Sequence, residues 1–308
     1  GPINKQTLSC AEDLNYKLIN NDKFGFKNPN SIYEKKIEIA LLGDSYAEGQ
    51  CYKETNDIAA YLRKSKYNSA NYGVTGSGPL VSLGVLKEYV KKFKPPYVVY
   101  LYYEGNDISD LSWEKNIPLL KNYLNENYTQ DLLNKQDKVK KFLSDISKDS
   151  YEYINYKIDY QKTYKEKERL TFIEQLKDFL ELSSLKNYIR NSFYLISDKE
   201  FDADLFFSVI NAMNEETNSW KGKFIFVYTP SWSRYFTKFS KEQRYFDKKD
   251  LILNNLSKNN ISTIDLTEFM DKENNLKKYF PLGYIGHFNK QGYEKISSIV
   301  IKKIEKIK

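Results

Sequence analysis

The chain is poor in the residues that metal and redox sites draw on: among 308 residues there are one histidine, two cysteines and two methionines. Two cysteines are too few for a disulfide scaffold, and with a single histidine they are too few for a structural zinc site. We read Cys10 and Cys51 as two ordinary thiols, with one bridge between them as the alternative. No apolar run approaches the roughly 20 residues that cross a bilayer. The longest, Tyr97 to Tyr103 and Phe224 to Tyr228, are strand-sized. Lysine far outnumbers arginine and neither forms a block, so the net charge of +7 argues weakly for nucleic acid and is better read as a solvated surface. There is no phosphate-cradling loop and no metal-ligand cluster, and neither cofactor nor metal is expected. Internal repeats and low-complexity linkers are also absent.

What is present is enough apolar material, 41% of residues, for a full core in a chain of this length. Five short apolar runs are bounded by turn residues: Lys36 to Leu42, Ser69 to Gly73, Tyr97 to Tyr103, Lys223 to Thr229 and Ile261 to Leu266. Between them lie helical spacings such as Leu80, Leu83, Leu86, Val90 and Phe93, which Pro95-Pro96 brings to an end. Ile296, Ile299, Val300 and Ile304 form the apolar stripe of a last helix. The alternation predicts an α/β fold of three layers, α/β/α, around a five-stranded, mainly parallel sheet. Residues 1–33 are expected to pack as an N-terminal segment on a single domain spanning 34–308. From about 112 to 199 the text turns polar, Tyr- and Lys-rich and helical, with Leu119, Leu120, Tyr123 and Leu124, then Phe172, Ile173, Leu176, Phe179 and Leu180, three and four apart. That stretch predicts a helical insertion over the sheet edge or the active-site rim. Gly1-Pro2 resembles the remnant of tag removal, so an upstream signal or anchor is compatible with the chain, and an extracytoplasmic location with it.

In an open α/β sheet, functional groups gather in loops at the carboxyl ends of strands. Ser45 follows the first strand and Gly76 the second; Asn106 follows the third within Glu104-Gly105-Asn106-Asp107, and His287 follows the fifth within Gly286-His287-Phe288-Asn289. A serine hydroxyl needs a base before it attacks a carbonyl, and histidine alone titrates ordinarily near neutral pH. The pair points to acyl transfer. Structural roles compete: Ser45 as a helix cap, Gly76 as a turn former, Asn106 and Asp44 as stabilisers of their own loops.

These blocks resemble those of the SGNH hydrolases, also called the GDSL esterase/lipase family. Gly43-Asp44-Ser45 resembles the nucleophile block, Gly76 the glycine block, Gly105-Asn106-Asp107 the asparagine block and His287 the histidine block, in order across residues 36 to 302 apart from the insertion. The resemblance implies a flavodoxin-like sheet, Ser45 as nucleophile and His287 as general base and then acid. It also implies an oxyanion hole from the backbone N–H groups of Ser45 and Gly76 and the amide of Asn106. Each such donor is worth about 3 kcal/mol in the transition state.

One position departs from the family. Its orienting aspartate usually stands three residues before the histidine, where this chain has Tyr284, and a phenol supplies no permanent negative charge. A Ser45–His287 dyad, an acid recruited from another loop with Glu104 first in line, and loss of activity are the three substitutes. Asp265 is expected to stabilise a turn, and Asp271 and Glu273 to be solvated. Trp220, Trp232 and Tyr235 flank the fourth strand, as sugar platforms or as packing. The expected function is a serine esterase that removes small O-acyl groups, acetyl above all, from a carbohydrate. An O-acyltransferase to a glycan and a catalytically weakened glycan-binding protein are the alternatives. The partner in each case is an acyl ester or glycan, not nucleic acid.

Overall fold

A computed structural model describes residues 1–10, 12–14, 16–145, 201–237, 242–284 and 286–308. The chain divides into two compact units, Gly1–Gln136 with Phe201–Lys308, and Asp137–Glu200. The first carries every feature described below. Of the helical insertion expected over about 112–199, the part from 146 onward, with Phe172 to Leu180, lies outside the described residues.

Strands β1 (Gln6–Ser9) and β2 (Lys17–Asn20) form an antiparallel hairpin separate from the main sheet. The main sheet contains β3 (Ile39–Gly43), β4 (Ser69–Asn71), β5 (Tyr97–Tyr103), β6 (Lys223–Thr229) and β7 (Ser262–Asp265), in the order β4-β3-β5-β6-β7. Every neighbouring pair is parallel. This is the flavodoxin-like order, in which the first strand lies between the second and the third. All five predicted strands are present.

The sheet is apolar on both faces, and side-chain alternation sorts its residues into two cores. Ala40, Leu42, Val98, Tyr100, Tyr102, Phe224 and Phe226 face one side. There they meet α3 (Pro79–Val85) through Leu80 and Leu83, α5 (Ala203–Ser219) through Phe206, Val209 and Met213, and α6 (Lys249–Lys258) through Ile252 and Leu256. Ile39, Leu41, Val99, Leu101, Ile225 and Val227 face the other side, against α2 (Ile58–Lys64) and α7 (Lys290–Ile307). The stripe Ile296, Val300 and Ile304 of α7 is buried in that second core. Each large side chain so buried contributes about 1.5–3 kcal/mol. The short α1 (Ser45–Glu48) and α4 (Asp107–Glu114) begin just beyond the carboxyl ends of β3 and β5.

The N-terminal segment is fastened by buried polar groups. Asn28 continues the edge strand: its Nδ2 donates to the Asn71 carbonyl at 2.8 Å and its Oδ1 accepts from the Asn71 N–H at 2.7 Å. Lys27 is buried and donates to the carbonyls of Gly49 (2.6 Å) and Tyr52 (2.9 Å), facing buried Asp57 at 3.8 Å. Cys10 and Cys51 are a disulfide, not two thiols, with Cα atoms 4.7 Å apart across a sequence separation of 41. Their pairing depends on the hairpin folding back onto the loop after α1, a tertiary event without a local sequence signal. Closing a loop of that length contributes about 4 kcal/mol in the chain-entropy account.

Candidate active site

Ser45 is the first residue of α1, placed there by a tight exit from β3. Gly43 has φ +138, and a Cβ on it would sit 2.5 Å from the Leu101 carbonyl oxygen, so the strand end leaves room only for glycine. Asp44 caps the helix, its side chain accepting from the Tyr46 N–H at 2.8 Å. As the first helical residue, Ser45 has a backbone N–H without an intrahelical acceptor. The cap is therefore Asp44, and the Ser45 hydroxyl, 3.4 Å from Asp44 Oδ2, has a closer partner elsewhere.

That partner is His287. Its Nε2 lies 2.8 Å from the Ser45 Oγ, although 242 residues separate them. The imidazole is held on its other side by a residue that the sequence did not suggest. Glu12 Oε1 lies 2.8 Å from His287 Nδ1, and Glu12 Oε2 accepts from the His287 backbone N–H at 3.0 Å. A carboxylate on Nδ1 fixes the tautomer that leaves Nε2 as the acceptor of a serine proton. Ser45, His287 and Glu12 thus form a continuous hydrogen-bonded row. Tyr46 braces it from below: its ring stacks on Tyr103 at 3.8 Å, lies 4.7 Å from the imidazole and meets Phe288 edge-on at 5.5 Å. Its hydroxyl donates to the Gly286 carbonyl at 3.1 Å. Asn289, capping α7 through Gly292 N–H at 3.1 Å, fixes the other end of the histidine loop.

Gly76 and Asn106 stand in the loops of the strands flanking β3. Val74 N–H donates to the Gly43 carbonyl at 2.9 Å, which draws the Gly76 loop alongside the Ser45 turn. Gly76 has φ +73, and a Cβ there would meet no atom within 4 Å, so its backbone borders open space. Asn106 caps α4 with its backbone only, and its side chain helps to hold down the carboxyl of Asp44, the residue before Ser45.

Glu104 does not serve the histidine. It is fully buried and committed to Arg234, which donates through Nε at 2.8 Å and Nη2 at 2.7 Å, and it also accepts from the Ser231 N–H at 2.8 Å and the Tyr228 hydroxyl. The residue that holds it, Arg234, comes from the short helix Trp232–Phe236 after β6, which is why strand order alone misassigns this carboxylate. Tyr284 is 70% exposed. Asp265 braces the turn after β7, accepting from Thr267 N–H at 2.9 Å and pairing with Lys249 at 2.8 Å. Asp271 accepts from the Tyr235 hydroxyl at 2.9 Å, and Glu273 from the Tyr279 hydroxyl at 3.0 Å. Trp220 donates to the Pro95 carbonyl at 3.0 Å, and Trp232 packs on Phe236 at 4.7 Å.

Electrostatics divides the carboxylates. Burial pushes the Asp44 carboxyl up to about 6, against the opposing hydrogen bond from Tyr46 and the pull of His287. Asp107, which accepts from the Tyr100 hydroxyl at 2.8 Å and the Tyr103 N–H at 3.1 Å, is held well above the usual range by burial and by Asp44. Folding also gathers Glu12, Cys51 and His287 so that one ligand-type atom of each lies within 4.8 Å of the others, a grouping invisible in the sequence. The sulfur is bonded to Cys10 and both ring nitrogens have protein partners, so the group offers no thiolate and no free imidazole nitrogen.

Solved structures similar to this chain include the lipase/acylhydrolase from Enterococcus faecalis, at 14% identity and TM-score 0.48, covering 87% of this chain and 95% of that one. A GDSL-like lipase from Bacteroides thetaiotaomicron VPI-5482 is 14% identical with TM-score 0.45, covering 89% and 91%. A catalytic mutant of an acetylxylan esterase from Geobacillus stearothermophilus is 10% identical with TM-score 0.44, covering 88% and 96%. No protein-family model and no curated protein matches the chain.

Proposed function

We propose that this protein is a serine esterase of the SGNH type that cleaves small O-acyl esters, acetyl esters of a carbohydrate above all, through an acyl-enzyme on Ser45. The observation that carries the reading is the unbroken row Ser45 Oγ, His287 Nε2, His287 Nδ1, Glu12 Oε1, with both links at 2.8 Å. Ser45 attacks the ester carbonyl as its proton passes to Nε2, and Glu12 stabilises the imidazolium that forms. The backbone N–H groups of Ser45 and Gly76 and the Asn106 amide receive the oxyanion. The imidazolium then returns its proton to the departing alcohol. A water, deprotonated by His287, attacks the acyl-enzyme and frees the acid and Ser45.

Glu12 also answers the objection raised by Tyr284, since the negative charge missing before the histidine is supplied from the N-terminal segment. Hydrolysis of p-nitrophenyl acetate by the purified protein is the test. Ser45→Ala and His287→Ala are each expected to lose activity by on the order of 10⁴-fold or more. Full activity in either variant ends the proposal. Product analysis with an added glycan separates release to water from transfer to a sugar hydroxyl.

A further inference from the structure

The acid of the row is held in an unusual way. Glu12 lies in the connection of the β1–β2 hairpin, which has no strand pairing with the main sheet. A two-stranded hairpin is marginal on its own. Its outer side is poorly buried as well: Leu8 and Leu18 pair across the strands and are exposed, and Leu14 near the tip is 79% exposed. Glu12 meets the body of the protein through the imidazole and backbone of His287, the group that it orients.

The covalent tie is two residues away. Cys10 is bonded to Cys51, which is buried in the loop after α1, the helix that Ser45 begins. Ser9 Oγ accepts from the Cys51 N–H at 3.1 Å beside it. The Cys51 end is rigidly set, because Lys27 grips the carbonyls on both sides of it, at Gly49 and Tyr52. The hairpin is the end that moves if the bond opens. At the base of the hairpin, the Asn20 side chain donates to Glu54 at 2.6 Å.

From this we propose that Cys10 and Cys51 are positioning residues for Glu12, and that reduction of their disulfide by a dithiol lowers the esterase activity. The proposal rests on the Ser45–His287–Glu12 reading of the site. In the reductive step a thiolate of the dithiol attacks the sulfur of Cys10, the partly exposed partner, and displaces the Cys51 sulfur, which takes up a proton. The second thiol then closes the reagent into its own disulfide and releases Cys10 as a thiol. Two electrons and two protons pass to the protein. The tip is then free to wander from the imidazole, and a misplacement of about 1 Å in such an array costs on the order of 100-fold. A chain held this way suits an oxidising compartment.

The test compares the oxidised protein, the same protein reduced with dithiothreitol, and the Cys10→Ser/Cys51→Ser variant, all on p-nitrophenyl acetate below their melting temperatures. Reduced protein and variant are expected to lose on the order of 100-fold in kcat with KM little changed. Reoxidation restores the first and leaves the second as it was. Glu12→Gln should cost far less in the variant than in the oxidised protein, because the two changes remove the same contact. Wild-type kcat in the folded variant, or an equal cost of Glu12→Gln in both backgrounds, overturns the proposal and leaves the bond a stabiliser. Unfolding of both the variant and the reduced protein also overturns it. Activity that survives Ser45→Ala in the oxidised protein indicts the esterase reading instead, and a fluorophosphonate label on Ser45 tells the two failures apart.

Discussion

Around Ser45 the carboxylates differ by surroundings, not by type. Glu12 is part-exposed and bonded to the imidazole, whereas Asp44 is sealed under the Ser45 turn, where burial and, to a lesser degree, Asp110 raise it out of its usual range. For Asp44, a folded value of about 6 against an ordinary 3.8 means that the native state binds the proton more tightly than the unfolded chain. Its contribution to stability is therefore greatest below about pH 4 and falls as the pH rises to 6, by up to about 3 kcal/mol. Asp44→Asn keeps an acceptor for the Tyr46 N–H and removes the charge. It is expected to raise the melting temperature at pH 7.5 and to leave it unchanged near pH 3.5; a gain of equal size at both would refute the assignment. Glu12→Gln removes the charge that holds the imidazole tautomer. By analogy with acid-to-amide changes in serine hydrolases, kcat should fall by on the order of 10⁴-fold with stability little altered, as steady-state kinetics and thermal melts will show.

Elements were legible in proportion to how much of their stability is local pattern. β5 and β6 are continuous apolar runs because both faces of the sheet are covered, and their observed limits, Tyr97–Tyr103 and Lys223–Thr229, match the runs in the sequence. The hairpin is not legible in that way: Gln6-Thr7-Leu8-Ser9 is polar and half-exposed, and a disulfide fastens it where a core would otherwise be needed. Loops fall between these cases. Ser45, Gly76 and Asn106 could be placed because they follow strands, but Glu104 could not, since its fate depends on Arg234 arriving from the short helix after β6. The two turn glycines make contrasting predictions. Gly43→Ala drives a Cβ to 2.5 Å from the Leu101 carbonyl oxygen and 2.9 Å from the Ala47 Cβ, and should prevent proper folding. Gly76→Ala meets no neighbour and carries only the left-handed cost of about 1–2 kcal/mol. That variant should fold and yet lose about 100-fold in kcat, because the loop relaxes at the expense of its N–H direction.

The whole molecule decides the site, because its three principal members come from opposite ends of the chain: Glu12 is separated from His287 by 275 residues and His287 from Ser45 by 242. No motif contains the acid, and no spacing could have found it. The N-terminal segment that delivers it is built into the body and is not an appendage, since Phe26 packs edge-on to Tyr72 at 5.0 Å, Asn28 completes the edge of β4, and Lys27 neutralises a buried aspartate. Removing residues 1–33 takes from buried Asp57 its nearest cation, Lys27, and leaves it the pull of Arg63, a loss of about 3–5 kcal/mol by itself. Typical domains hold only about 5–15 kcal/mol in total. The missing hydrogen bonds to Asn71 and the exposed face of Tyr72 add to that deficit. The truncated chain is therefore expected to be unfolded or insoluble, not to persist as a folded Ser45–His287 dyad. Lys27→Met in the full chain isolates the charge effect and should lower the unfolding free energy by about 3–5 kcal/mol in urea. A truncated protein with a cooperative, wild-type urea transition would show instead that the segment only carries Glu12 and supports nothing else.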